Sequence, residues 1–342
     1  MIRFHLCPDT HPARDTVVAT TPGIEVRAFT YPTGVAALRL VSDRVDAVVL
    51  PYQGQQVWRL AVDGTDLTMH TMWDAPEPTD SFGASYGPFL MHCGLTGMGQ
   101  VGPDDTHPPH GELPCARYRD AFVTVDPEGA VGIGGTYEHR RSHSVGYRFT
   151  PVVRVRPGDT GLGVTASIEN LRSTPLPWQY LAHVNWAYWP GATLAPSLSD
   201  GVGAVSLHPD AGQDEQTRAL NDRLAADPGA GDVVPEQPVI PEHVSVITPR
   251  ASGGWAEFSM SHPDRGRATV GFETEHLTHA VRWISNTPDE QAAGFAMPAT
   301  GHHLGRARSD RDGLTRTLAG GASATLRINV NYHATQERND HA

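Results

Sequence analysis

The chain has 342 residues, 39% of them hydrophobic, and a formal net charge of −12. That acidic balance, without clustered basic residues, argues against nucleic acid or an anionic membrane surface as a partner. No apolar run reaches the roughly eighteen residues of a spanning helix, and all 26 basic residues are arginines, which excludes a Schiff-base lysine and a Walker-type phosphate loop.

Residues 1–9 lack the long apolar core of a secretory signal. Three widely spaced cysteines, Cys7, Cys93 and Cys115, imply neither a disulfide framework nor a zinc knuckle. A reducing cytoplasm is the expected compartment. The 35 glycines and 28 prolines are spread throughout, and turn residues at short intervals between short apolar runs read as an all-β chain. Residues 45–50 and 152–155 are candidate strands, with a loop expected over 71–85. In residues 163–170 the apolar set is Val164, Ala166 and Ile168. Residues 268–273 alternate in the same way, as do Ala324, Leu326, Ile328 and Val330. Period-two alternation puts one face of each strand on a core.

One helix is expected, over residues 214–227, where Leu220 and Leu224 stand four apart. It lies in a polar, Pro- and Gly-rich stretch near 191–241. Strand patterns resume after it, so that stretch reads as a surface insertion and not as a domain boundary. No linker separates two halves, which favours one domain over 1–342 above two tandem sandwiches. The expected fold class is all-β, a large antiparallel sandwich.

Two histidines draw attention. His183 and Asn185 stand mid-strand in the apolar, aromatic residues 181–189. Burying an imidazole without a partner is costly, so such a histidine has a structural or a chemical task. His110 sits in a loop, residues 108–114, too rich in Pro and Gly for regular structure. Only the fold could bring the two together.

These segments resemble the aldose 1-epimerase (galactose mutarotase-like) superfamily, in particular its divergent bacterial branch of large β-supersandwich proteins. The resemblance covers residues 45–333. Residues 181–188 look like the family segment that presents the catalytic acid, which implies that role for His183. Pro109-His110-Gly111 looks like the His-Gly loop that binds the sugar near its ring oxygen. Residues 86–95 resemble the glycine-rich approach to that loop, and residues 53–59 an early strand turn. Residues 294–300 resemble the late loop that carries the family's glutamate base. There the family reads Glu-Pro-Ala or Glu-Thr-Gln, whereas this chain has Met297. A thioether cannot take a proton at neutral pH, so the usual base is missing.

The resemblance implies interconversion of sugar anomers by acid/base ring opening, on a small-molecule sugar or sugar derivative, with no cofactor and as a monomer or homodimer. Replacement bases come from residues two apart. Glu273 and Glu275 would share a face of a strand, where a carboxylate pair can raise one pKa, although a solvated strand face is the simpler explanation. His302 and His303 follow Met297 closely. Asn185 binds a hydroxyl or satisfies backbone groups, and Arg59 or Arg117 offers either a hydroxyl contact or a surface ion pair. Trp283 and the other six tryptophans offer faces for sugar stacking or for core packing. His110, His183 and a carboxylate would make a catalytic metal set, but no short-spaced ligand motif is present, and no metal is expected. The alternatives are a different sugar epimerase or isomerase, metal-assisted or not, a sugar-binding protein without turnover, and a structural sandwich with no polar cleft.

Overall fold

A computed structural model describes residues 1–196, 205–207, 212–227, 232–249 and 251–335. Among these, the strands form two antiparallel sheets, of nine and thirteen strands. The nine-stranded sheet runs, in spatial order, Ile2–Leu6, Asp120–Val125, Val131–Arg141, Val145–Val155, Gly161–Asn170, Ser323–His333, Gly266–Glu273, Trp255–His262 and Thr193–Pro196. The other runs Val205–Leu207, Val239–Ile247, His279–Asn286, Gln291–Ala299, Leu176–Val184, Leu90–Leu95, Val57–Val62, Val45–Val49, Ala36–Ser42, Ile24–Thr30 and Thr16–Thr21. Two short strands, Arg316–Leu318 and Thr65–Asp66, pair at its flank. No described helix is long and apolar enough to cross a membrane.

Alternation builds the interface between the sheets. Val164, Ala166 and Ile168 are buried opposite Ile328, Leu326 and Ala324 of the neighbouring strand. Each large apolar side chain buried in this way contributes about 1.5–3 kcal/mol. The central strand Leu176–Val184 is buried on both faces. Trp178, Tyr180, Ala182 and Val184 join the core between the sheets. Leu181 faces the other way, into a second apolar cluster with Met91, Cys93, Val281, Trp283 and Met297. His183 shares that outer parity. A slip of one residue would exchange the two sets, so the apolar burial of Trp178 and Tyr180 fixes which side His183 faces. His92 has the opposite parity and packs in the main core against Phe149 and Tyr180.

The helix expected within the polar stretch is present as Glu215–Ala226, capped by Asp214, whose carboxylate accepts from Thr217 N at 2.7 Å. Its buried side, Thr217, Leu220, Asn221 and Leu224, braces the strand Val239–Ile247. Thr217 Oγ1 accepts from Ile240 N (2.8 Å), and Asn221 Oδ1 meets His243 Nδ1 at 2.7 Å. Within 191–241 the chain also adds edge strands to both sheets. Residues 197–204, 208–211 and 228–231 of that stretch lie outside the described residues. A second, six-residue helix, Arg306–Arg311, has no counterpart in the sequence expectations.

Candidate active site

His183 is held by its neighbour two residues on. Its Nδ1 lies 2.6 Å from Asn185 Oδ1, and Asn185 Nδ2 donates to the carbonyl of Pro88 at 2.9 Å. Both residues are buried, His183 with 4% exposure and Asn185 with none. Burial pushes the His183 imidazole down to about 4, with the Asn185 hydrogen bond acting the other way. The ring is therefore neutral at pH 7.

His110 reaches the same place from its loop by close backbone packing. Its N donates to Gly99 O (2.8 Å), and its carbonyl accepts from Gly94 N (2.9 Å) on the central strand Leu90–Leu95. Gly111 has φ +80, and a Cβ there would lie 2.3 Å from Gly94 O, so only glycine permits this approach. His110 itself is left-handed, at φ 58, a conformation that a non-glycine residue adopts at a cost. Its ring stacks on Phe82, with centroids 4.3 Å apart. The His110 and His183 rings meet with centroids 5.3 Å apart at 67°. Burial, with His183 nearby, holds His110 well below the usual histidine range.

The two imidazoles line a cleft of about 290 Å³. Its aromatic wall is Trp73, Phe82, Tyr86 and Trp283, and Leu181, Val244, Val281 and Met297 give it an apolar floor. Trp283 stands edge-on to His183 (5.4 Å) and to Tyr86 (6.0 Å), and its Nε1 donates to Glu242 Oε2 at 2.5 Å. Glu242, Glu290, Gln100 and His303 supply the remaining polar lining. Burial raises the Glu290 carboxyl above its ordinary value, with Asp289 adding to the effect. Burial also raises the Tyr86 phenol, so it stays protonated. Among the described residues no three His, Cys, Asp or Glu side chains gather in a way that could hold a metal ion.

Residues 32–332 match the family described as a domain of unknown function, DUF4432. The chain belongs to this family. No curated protein matches it. Among solved structures it is similar to a Klebsiella pneumoniae protein provisionally named an aldose 1-epimerase, at 15% identity and a TM-score of 0.77, over 97% of this chain and 88% of that one. A galactose mutarotase-like protein from Clostridium acetobutylicum is 13% identical, with a TM-score of 0.64 over 92% and 100% of the two chains. An Escherichia coli K12 protein, also provisionally named an aldose 1-epimerase, is 14% identical, with a TM-score of 0.57 over 91% and 100%. The fold is thus galactose mutarotase-like.

Of the residues singled out in the sequence, the DUF4432 fold brings His110, His183, Asn185, Trp283 and Met297 together. Met297 is 1% exposed and stands opposite Val281 in the cleft floor. Four others fall elsewhere. Glu273 ends a strand of the other sheet and chelates Arg327 Nη1 at 2.8 and 2.9 Å. Glu275 lies past that strand's end, 78% exposed beside His276, so the two carboxylates share no strand face and form no base pair in the cleft. His302 turns away to Asp312 (3.0 Å), while its neighbour His303 lines the cleft. Arg59 does not line it either. Its guanidinium binds the carbonyls of Trp58, Gly87 and Trp73, and so clamps the segment bearing the aromatic wall.

Sequence reasoning missed Glu242, Glu290, Tyr86 and Phe82. Glu242 comes from the strand Val239–Ile247, two strands over from Met297 across His279–Asn286. Glu290 comes from the turn before Gln291–Ala299. The one available signal for Glu242 was the alternating run that follows it, Val244 and Val246, which marks a strand just past the end of the supposed insertion.

Proposed function

We propose that the cleft opens and recloses the hemiacetal ring of a small sugar, interconverting its anomers. In that reaction a proton leaves the anomeric hydroxyl, the bond from the anomeric carbon to the ring oxygen breaks, and the ring oxygen gains a proton. The free aldehyde rotates and closes as the other anomer. No step needs a redox or group-transfer cofactor. What carries this reading is the meeting of His110 and His183, from remote segments, in one cleft with an aromatic wall and two carboxyl groups. Aromatic faces suit the C–H face of a sugar ring. The volume falls at the small end of ligand cavities, about 300–1,000 Å³, and suits a monosaccharide better than a chain. The family likeness gives the same direction, since its structural neighbours are named for mutarotase and epimerase activity.

One observation favours a second reading. The buried thioether of Met297 stands where the resemblance puts a glutamate base, which would suit a protein that binds sugars without turning them over. Exchange NMR on a panel of aldoses, ketoses and acidic sugars separates the readings and also identifies a different epimerisation or isomerisation. The first expects wild type to accelerate anomer exchange and His183→Ala to lose roughly 10²–10⁴-fold, the usual worth of a proton-transfer group. Sugar binding with no acceleration supports the second reading. An unaltered rate in His183→Ala removes His183 from the chemistry.

A further inference from the structure

The hydrogen bonds around Asn185 leave only one protonation pattern for His183. The Pro88 carbonyl can only accept, so the Asn185 nitrogen must be the atom that faces it. That turns Oδ1 toward His183 Nδ1, at 2.6 Å. An amide oxygen can also only accept, so Nδ1 carries the hydrogen. In the neutral ring Nε2 is then bare. Nε2 has no hydrogen-bond partner among the described residues and is not among the fully enclosed atoms, so it is the atom open to the cleft. His92, in the main core, is the contrast. Its Nδ1 meets Tyr180 Oη at 2.6 Å, and its Nε2 is sealed in without a partner.

We propose that His183 begins the reaction as a proton acceptor through Nε2, and that Asn185 is the positioning residue that fixes this tautomer. The proposal rests on the reading above that the cleft handles a sugar hemiacetal. It reverses the acid role that the family resemblance implies for this histidine. The step balances with one group. Nε2 takes the proton of the anomeric hydroxyl, and the freed electron pair forms the carbonyl bond. The bond from the anomeric carbon to the ring oxygen breaks and leaves its electron pair on that oxygen. The imidazolium returns the proton there. Both oxygens are bonded to the same carbon, so one ring nitrogen can serve them in turn. Closure runs the steps backward from the other face of the aldehyde. A single imidazole that accepts and then donates removes the need for a carboxylate at the position of Met297, which accounts for a buried thioether in that place.

The low basicity of His183 agrees with a neutral starting form. The titratable groups around it are His110, His303, Tyr86, Glu242 and Glu290 in the cleft and Cys93 on the adjoining strand.

The test pairs a spectroscopic readout with a kinetic one. Two-bond ¹H–¹⁵N correlation NMR of histidine-labelled protein at pH 7, with His183→Gln to assign the signal, should show His183 protonated on Nδ1 and bare on Nε2. Hydrogen on Nε2 in the wild type overturns the proposal, whether or not any sugar turns over. The tautomer is read without substrate, so its failure is distinct from failure of the sugar reading. Kinetically, the wild-type rate should rise through about pH 4 and show no dependence on His183 above pH 5. A tenfold fall per pH unit from 5 to 8 that disappears in His183→Gln would mark a donor and contradict the proposal. Asn185→Asp keeps an acceptor at Nδ1 and adds charge, so the acid limb should move up by at least one pH unit. Asn185→Ala should lower kcat by ten- to a hundredfold with KM within threefold. An unmoved acid limb in a folded Asn185→Asp would make Asn185 merely structural.

Discussion

Acid should weaken this protein well before its carboxylates protonate, because several imidazoles are buried neutral. Burial holds His92 at about 3 and His183 and His243 at about 4, and it lowers His110 as well. In the unfolded chain each titrates near 6.5. Between the two values the unfolded state binds one more proton per ring. Stability is therefore fully present above pH 6.5 and is lost as pH falls toward the folded values. Each ring costs about 1.4 kcal/mol per pH unit in that window. For His92, His183 and His243 together the loss from pH 6.5 to 5 is about 5 kcal/mol, a large part of a typical total of about 5–15 kcal/mol. Urea unfolding at pH 7.5, 6.0 and 5.0 reads this directly. His92→Phe is the perturbation, since His92 lies in the core between the sheets and away from the cleft. The variant strips Tyr180 of a partner and should lose about 1–3 kcal/mol at pH 7.5. Its slope against pH should nevertheless be shallower than wild type by about 1.4 kcal/mol per unit. Parallel slopes for the two proteins would refute the argument, and with it the neutral imidazoles assumed for the cleft.

Gly111→Ala forces a Cβ within 2.3 Å of Gly94 O at φ +80; on the order of 3 kcal/mol should be lost, with a lower Tm and a displaced His110 signal in NMR spectra. Trp283→Ala removes a stacking face and the donor to Glu242. Sugar KM should rise at least fivefold, about 1 kcal/mol, with a smaller change in kcat, and an unchanged KM would place the sugar elsewhere. Met297→Glu puts a carboxyl in a site of 1% exposure, so stability should fall by several kcal/mol unless the group stays protonated. If His183 alone carries the proton, that variant should not gain more than a few-fold in rate; restoration of activity to an inert wild type would favour the binding-only reading.

How much of this was visible in the sequence depends on whether a feature is local. Strand alternation is local, and the runs at Val164 and Leu326 lie on adjacent strands in matching register. The helix after Asp214 follows from its cap and the Leu220–Leu224 spacing. The short motifs around His110 and His183 were readable because the backbone there is specialised, with Gly111 packed on Gly94 and an Asn two residues after the histidine. The carboxyl groups were not readable. Glu242 reaches the cleft because Val239–Ile247 pairs with His279–Asn286, and a glutamate after a cis-proline in a polar stretch carries no mark of that pairing. Glu273 and Glu275 failed for a related reason. Their two-residue spacing matters only inside a strand, and the strand stops at Glu273. His302 and His303 show the limit most simply, since adjacent side chains point to different surroundings and composition cannot say which faces the cleft.

The most direct test of the central claim is a crystal structure of the protein with a slowly converted monosaccharide. The account expects the sugar between His110 and His183, its apolar face on Trp283, with the anomeric oxygen within about 3 Å of His183 Nε2. A sugar bound outside that cleft, or seated in it with the anomeric oxygen held by a carboxylate and out of reach of His183, would contradict it.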